Sequence, residues 1–534
     1  MQETLLLCLA LLLLISVLVM VGQRMRIPIP IFLVVSGLLI SFIPNAPHIE
    51  VDPELIFLIF LPPLLYEAAW FTSWREFWRW RRIIITLAFG LVLLTSLAVA
   101  YASTAFIPGF TLALGFLLGG IISPPDAVAA TSVLRSVNVP KRILAVLEGE
   151  SLINDAASLT VFRFALATVL TGVFVPRQAV TDFFLITFGG VGVGLAVASV
   201  FYAIHRWIPS PVRISILLTF ITPYVLYLIA EHFHFSGVMA VVSGGLFMAN
   251  QRHVILNHTA RLQGTAMWAT VTFALNGFVF ILIGLELPVI INSLAGYSRT
   301  EAMSYALLIT GVIIVTRLVT AYFTMAFTRL VGNFMPNAVA ERNPGWRAPT
   351  IVGWAGMRGV VSLASALSVP LTLTDGTPFP HRNLILFITF VAILGTLVFQ
   401  GLTLPVVVRR VNYRDPDHRL TEDEQESVIR LKLLEAALKR LEQKYEADVR
   451  QNELVSNLKS RMESDQQLTQ QRLNSLDCGN IKTDRYNHIL TDITTTMRRE
   501  LSRLRRKQEF DDEVIRKEEA RLDLEEEKID HPIH

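Results

Sequence analysis

The sequence predicts an all-α polytopic membrane protein of about thirteen transmembrane helices. They are expected as two inverted six-helix repeats with crossed discontinuous helices, followed by a helical cytoplasmic tail. Three observations predict it. Apolar stretches long enough to span a bilayer as helices, which takes roughly 20 residues, recur along the chain. The cationic side chains between them fall almost entirely on alternate loops. Composition also breaks near Arg410: residues 1–410 carry 24 Lys/Arg and 16 Asp/Glu, and residues 411–534 carry 23 and 28. A sparsely charged body of net +8 thus joins a densely charged tail of net −5, one suited to lipid and the other to water.

The candidate spans, taken in order, are 4–22, 27–43, 54–70, 83–107, 111–134, 143–171, 182–205, 214–231, 236–250, 268–292, 303–328, 350–371 and 384–408. The first is preceded by no Lys or Arg and followed by no small-residue cleavage site, so it reads as a transmembrane helix rather than a signal peptide. The second and ninth are short. With the N-terminus outside, the inner loops hold sixteen basic residues and the outer loops three, Arg177, Arg299 and Arg382. That asymmetry places the tail in the cytoplasm. Cys8 and Cys478 lie in different environments, so no disulfide framework is expected.

Two spans are interrupted at mid-depth. The fifth contains Ser123-Pro124-Pro125-Asp126, where adjacent prolines remove two amide donors and break the helix. The twelfth contains Gly353-Trp354-Ala355-Gly356-Met357-Arg358-Gly359, which weakens it. Irregular backbone at membrane depth survives where it is buried in protein or lines a cavity. The breaks occupy the fifth member of spans 1–6 and of spans 8–13, and seven spans separate them. The two groups therefore enter the membrane in opposite senses, which is the pattern of an inverted repeat with a site at the midplane.

Ionisable groups cluster beside these breaks, in the sixth span, which reads Glu150-Ser151-Leu152-Ile153-Asn154-Asp155. Helical spacing puts Ser151 and Asp155 on one face and Glu150 and Asn154 on the adjoining stripe. A carboxylate, a hydroxyl and an amide oxygen within one turn suit a hard cation, and carbonyls freed at Pro124 or Pro125 complete a shell. Low-dielectric surroundings disfavour a bare buried carboxylate, so a proton and a dehydrated cation compete for its oxygens. Asp155 is the candidate carrier, with transported Na⁺ as the metal it would hold. Arg358 stays charged and needs an acidic partner, for which Glu150 is the assignment. Asp126 is a further candidate. Glu67, Arg163 and Arg317 read as structural pairs or snorkelling chains, Glu286 as solvated, and His232 and His234 as solvated loop residues. No metal-site spacing, Walker-type glycine loop or nucleophile elbow occurs, so neither a cofactor, an enzyme activity nor nucleic-acid binding is expected.

The Gly149–Asp155 run, the Ser-Pro-Pro-Asp-Ala-Val-Ala run at 123–129 and the Gly353–Gly359 run resemble the monovalent cation:proton antiporter-1 family. Asp52-Pro53-Glu54 and Leu61-Pro62-Pro63-Leu64-Leu65 are similar to its bacterial members, and the resemblance covers about residues 1–410. It implies a thirteen-span fold with core and dimerisation domains, and a homodimer in the plasma membrane that serves pH homeostasis. Within that fold Asp155 would bind cation and proton in turn beside Asn154 and Ser151, with a Glu150–Arg358 ion pair. An Asn-Asp pair at 154–155 goes with electroneutral one-for-one exchange in that family. Many members carry Thr before the aspartate of the broken helix, where this chain has Pro125, so a hydroxyl is lost while a carbonyl remains.

A cation channel and an intramembrane aspartyl protease using Asp126 and Asp155 are the rival readings. The first would need a continuous pore, and the second two aspartates sharing a proton in a glycine-aspartate motif that is absent. In the tail, Leu431, Leu434, Leu438, Leu441 and Tyr445 follow a heptad, and Ile489, Ile493, Met497, Leu501 and Leu504 run at helical spacing. Short amphipathic helices are expected. The cluster from Arg498 to Lys507 reads as a solvated face rather than a lipid contact.

Overall fold

The computed structural model describes residues 2–25, 27–43, 53–137, 139–172, 176–208, 210–292, 294, 297–334, 345–373, 376–413, 422–475, 481–507, 514–515, 518–519 and 521–523. Asp52, Arg342 and Cys478 lie outside them. The chain separates into two compact units, Met1–Arg414 and Asp415–His534.

Most described residues of the first unit are helical; the rest form turns, irregular stretches such as 123–126 and 355–359, and one isolated β-bridge, Thr372 with Pro378. Its helices are α1 (Gln2–Met25), α2 (Ile29–Ser41), α3 (Pro53–Phe71), α4 (Trp74–Phe106), α5 (Leu112–Ile122), α6 (Ala127–Leu134), α7 (Lys141–Thr171) and α8 (Pro176–Trp207). They continue with α9 (Val212–His232), α10 (Gly237–Ile255), α11 (His258–Asn292), α12 (Arg299–Phe334), α13 (Arg347–Trp354), α14 (Val360–Leu367), α15 (Arg382–Gly395) and α16 (Gly401–Val411). Among the described residues, nine helical stretches are long and apolar enough to cross a membrane, with α5–α6 and α15–α16 each counted as one stretch. Of the two spans expected to be short, α2 has 13 residues and α10 has 19.

Local chemistry sets many of these ends. Ser73, Thr111 and Ser236 each accept a hydrogen bond from a backbone amide three residues on, satisfying donors that a helix start leaves open. Gly172 ends α7 in the left-handed conformation at φ 72°, which a residue without Cβ adopts freely. Large apolar side chains such as Leu13, Leu185, Phe188, Val315 and Val319 remain exposed along α1, α8 and α12, as lipid-facing helices require.

The helices pack in two groups. One comprises α4, α5, α6, α7, α12, α13, α14, α15 and α16, and the other α1, α2, α3, α8, α9, α10 and α11. Contacts are dense within each group and sparse between them, running chiefly through α3, α7, α10, α11, α14 and α15. The two interrupted spans, α5–α6 and α13–α14, both belong to the first group. A π-helical turn, Thr396–Gln400, joins α15 to α16.

The second unit contains α17 (Glu422–Lys444), α18 (Glu446–Gln451), α19 (Glu453–Ser475) and α20 (Ile481–Lys507). α17 packs along α19, with Leu431 and Leu438 of the heptad buried and Lys459 bridging to Glu442 at 3.0 Å. On α20, Ile489, Ile493 and Met497 are exposed, and Arg498 bonds Asp523 at 2.5 Å.

Candidate functional site

The two breaks meet. At the first, α5 ends at Ile122 and α6 starts at Ala127, since Pro124 and Pro125 cannot donate to the preceding turn. Asp126 caps α6: its Oδ1 accepts from the amides of Val128 at 2.8 Å and Ala129 at 3.3 Å. Its own amide donates across to the carbonyl of Met357, in the second break, at 2.7 Å. The carboxylate then lies directly on Gly359, where a Cβ would stand 1.8 Å from Asp126 Oδ2. No residue but glycine fits there, and Oδ2 is left buried with no hydrogen-bond partner among the described residues.

α7 passes alongside. Ser151 Oγ donates to the carbonyl of Pro125 at 3.3 Å, which ties α7 to the first break through the acceptor that proline retains. One turn on, Asp155 is buried and within electrostatic reach of Asp126. Ser151, Asp155, Pro125 and Asp126 all line a cavity of about 280 Å³ that the two helix groups enclose together. The second group contributes Leu61, Leu64 and Glu67 from α3, and Thr272 and Asn276 from α11. Arg135 and Glu148, paired at 3.5 Å, line it too. The cavity is lined by several oxygen donors and by apolar surface, a setting for a small, partly dehydrated cation.

Not every residue singled out in the sequence reaches it. Asn154 is fully buried on the adjoining face of α7, off the cavity, and both atoms of its amide lack partners among the described residues. The assignment of Glu150 to Arg358 is corrected. Arg317 of α12 holds the Glu150 carboxylate, Nη1 to Oε1 at 2.8 Å and Nη2 to Oε2 at 3.3 Å, and donates again to the carbonyl of Ala355 at 3.2 Å. The physical reason is Gly356. A Cβ there would stand 2.3 Å from Arg317 Cδ, so the missing side chain opens the channel along which Arg317 reaches Glu150. Arg358, fully buried, turns back to the carbonyl of Gly356 at 3.2 Å, and its amide donates to Thr396 Oγ1 at 3.1 Å. Thr396 sits in the π-helical turn and passes its own proton to the carbonyl of Ala392 at 2.7 Å.

Arg163 pairs with Glu231, as a structural reading allowed, and Glu67 instead lines the cavity. Arg317 as the partner of Glu150, Thr396, Ser362 and Gly359 as the seat of Asp126 were not singled out by sequence. Two of them carried a signal: Arg317 as a charge within a span, read as a structural pair or snorkelling chain, and Gly359 as one of three glycines in a mid-span run.

The chain matches, over residues 9–410, a family profile described as the transmembrane domain of sodium/hydrogen exchangers. It is 34% identical to a sodium, potassium, lithium and rubidium/H⁺ antiporter of Bacillus pumilus, over 78% of this chain and 63% of that one, so it spans less than two thirds of that relative's length. It is 31% identical to the Na⁺/H⁺ antiporter ApNhaP of Aphanothece halophytica, over 71% of this chain and 69% of that one. Among solved structures, the sodium proton antiporter MjNhaP1 of Methanocaldococcus jannaschii superimposes with a TM-score of 0.61. It covers 77% of this chain and 99% of its own at 18% identity, a likeness of fold.

Proposed function

The chain belongs to the sodium/hydrogen exchanger family, and on that premise we propose that it exchanges a monovalent alkali cation for a proton, with Asp155 as the carrier of both. One observation carries the reading. The Asp155 carboxylate is buried in a cavity, makes no hydrogen bond to the protein among the described residues, and stands beside the Ser151 hydroxyl and the Asp126 carboxylate. An unpaired buried carboxylate is a poor structural element, because removing a charge from water without a partner is costly. It is a good exchanger, since either a proton or a dehydrated cation relieves that cost.

The arrangement of charges supports one-for-one, electroneutral exchange. Glu150 is paired with Arg317, Asn154 is neutral and Asp126 is held as a helix cap by the amides of Val128 and Ala129, so Asp155 is taken as the group that balances one charge at a time. The Pro125 carbonyl and Asp126 complete the oxygen set. In the orientation given by the loop charges, Arg135 and Glu148 lie toward the cytoplasm, so the cavity they line faces inward. The other access state then follows from movement of one helix group against the other. Family membership favours this reading over the channel and protease alternatives, and a homodimer in the plasma membrane is part of it.

The purified protein in vesicles containing a pH dye tests the proposal. Adding Na⁺, Li⁺ or K⁺ outside should move protons without a sustained current, and lowering the pH should weaken apparent cation affinity by up to about tenfold per unit where the proton dominates the site. Asp155→Asn keeps the side-chain shape, so it should fold and elute like wild type while losing exchange at least about a hundredfold, since Asn neither titrates nor supplies charge. Exchange near the wild-type rate in Asp155→Asn would sink the proposal.

A further inference from the structure

Buried serine and threonine hydroxyls in the first unit mostly return to their own helix. Ser103, Ser123, Ser158 and Ser365 each donate to a carbonyl three or four residues back, as do Thr160, Thr272 and Thr310. This is the ordinary way for a hydroxyl to be satisfied in an apolar interior. Thr95, Ser96, Thr324, Thr389 and Ser362 depart from it among the described residues, and of these five Ser362 is the one that lines the cavity. It is 1% exposed and lines the cavity, yet its Oγ has no hydrogen-bond partner among the described residues.

The break explains the departure. Ser362 stands in the first turn of α14, so the residues three and four back are Gly359 and Arg358, where the chain is not helical. Gly359 is extended there, at φ −151° and ψ −136°. The Gly359 carbonyl is already taken by the amide of Leu363 at 3.2 Å, and Arg358 precedes the helix. Residues three apart lie on one face of a helical turn, which sets Ser362 over the same side of the break as Gly359, against which Asp126 Oδ2 rests. Two buried oxygens without partners, one on each broken span, thus line one cavity with Asp155 and Ser151.

We infer that Ser362 supplies a further oxygen to the transported cation, so that the second broken helix takes part in binding and in the choice among alkali cations. The inference rests on the exchange reading above. A buried hydroxyl without a partner costs free energy, and an ion that takes its lone pair offsets part of that cost in the loaded state alone. The hydroxyl oxygen is neutral and hard, so it favours an alkali cation without altering the charge count of the exchange.

Measuring proton movement in vesicles against Na⁺ and Li⁺ concentration at one fixed pH tests this. Ser362→Ala should weaken apparent affinity by about tenfold, the scale of one net hydrogen bond or ligand, and change the Na⁺/Li⁺ ratio. Ser362→Cys, close in size but with a soft sulfur, should weaken it similarly, whereas Ser362→Thr should keep affinity within about twofold. Ser365→Ala, whose hydroxyl is bonded to Val361, is the control and should match wild type. Stabilisation of the detergent-purified protein by Na⁺ against heat gives a second readout without transport, and it should follow the same order. Unchanged affinity in both Ser362→Ala and Ser362→Cys would overturn the inference, as would equal losses in Ala, Cys and Thr. A wild-type protein that moves no protons would instead refute the exchange reading itself.

Discussion

Arg317 and Glu150 are 3% and 1% exposed, so each is held in place by the other rather than by water. Breaking a buried pair by removing one partner typically costs about 3–5 kcal/mol, because the survivor remains charged in a poor solvent. Arg317→Ala should therefore lower folded yield and the thermal midpoint, and Arg317→Ala with Glu150→Ala should recover part of the loss. A double variant less stable than either single one would show that the pair is not the stabilising unit. Arg358 predicts the contrast: it bonds the Gly356 carbonyl and Thr396, so Arg358→Ala should leave the Glu150–Arg317 bonds in place. These residues show where sequence is legible. Ser151 and Asp155 are four apart on one helix, and periodicity alone puts them side by side. Glu150 and its partner are 167 residues apart, and two arginines at membrane depth were available. The choice was made by a missing Cβ at Gly356, which no local pattern announces.

At the scale of elements, the breaks are not independent kinks. The Asp126 amide bonds Met357, the next amide, of Arg358, bonds Thr396, and Gly359 carries the Asp126 carboxylate. Three spans therefore fix one small region, and its weakest tolerance is at Gly359. Gly359→Ala would place a methyl group 1.8 Å from Asp126 Oδ2, far inside van der Waals contact, against a neighbour already held by two amides. The displacement should cost roughly 1–3 kcal/mol in stability and lower exchange at least about tenfold, since a misplaced group of under an ångström suffices for that. Wild-type exchange in Gly359→Ala would mean that the contact of the breaks is dispensable. The Pro-Pro break was readable from sequence because proline chemistry is local. The π-helical turn was not: Thr-Leu-Val-Phe-Gln contains neither Pro nor Gly, and the bond that Thr396 accepts comes from Arg358, distant in sequence.

On the scale of the whole first unit, the cavity lies where the two helix groups meet, with Asp155 and Asp126 on the first and Glu67 on the second. The second presents α3 and α11 as a wall. Under the proposed exchange, alternating access would carry the first group along that wall, because the two breaks are bonded to each other. Arg163 of α7 and Glu231 of α9 offer a test. Their ion pair crosses from one group to the other, with Nη2 at 2.8 Å and 3.0 Å from the two carboxylate oxygens, and Glu231 also accepts from the amide of Gly237. The side chains are 46% and 29% exposed, so the pair contributes at most about 1 kcal/mol and can be replaced without unfolding the protein. In a background lacking Cys8 and Cys478, Arg163→Cys with Glu231→Cys should exchange ions before treatment. A cleavable bifunctional thiol reagent long enough to take the place of the two side chains should then stop exchange, and cleaving it should restore it. Complete cross-linking with exchange unimpaired would show that the groups do not slide at this point, and the wall would have to open elsewhere. The outcome bears on movement alone, since neither residue lines the cavity and the tether leaves the oxygens around Asp155 untouched.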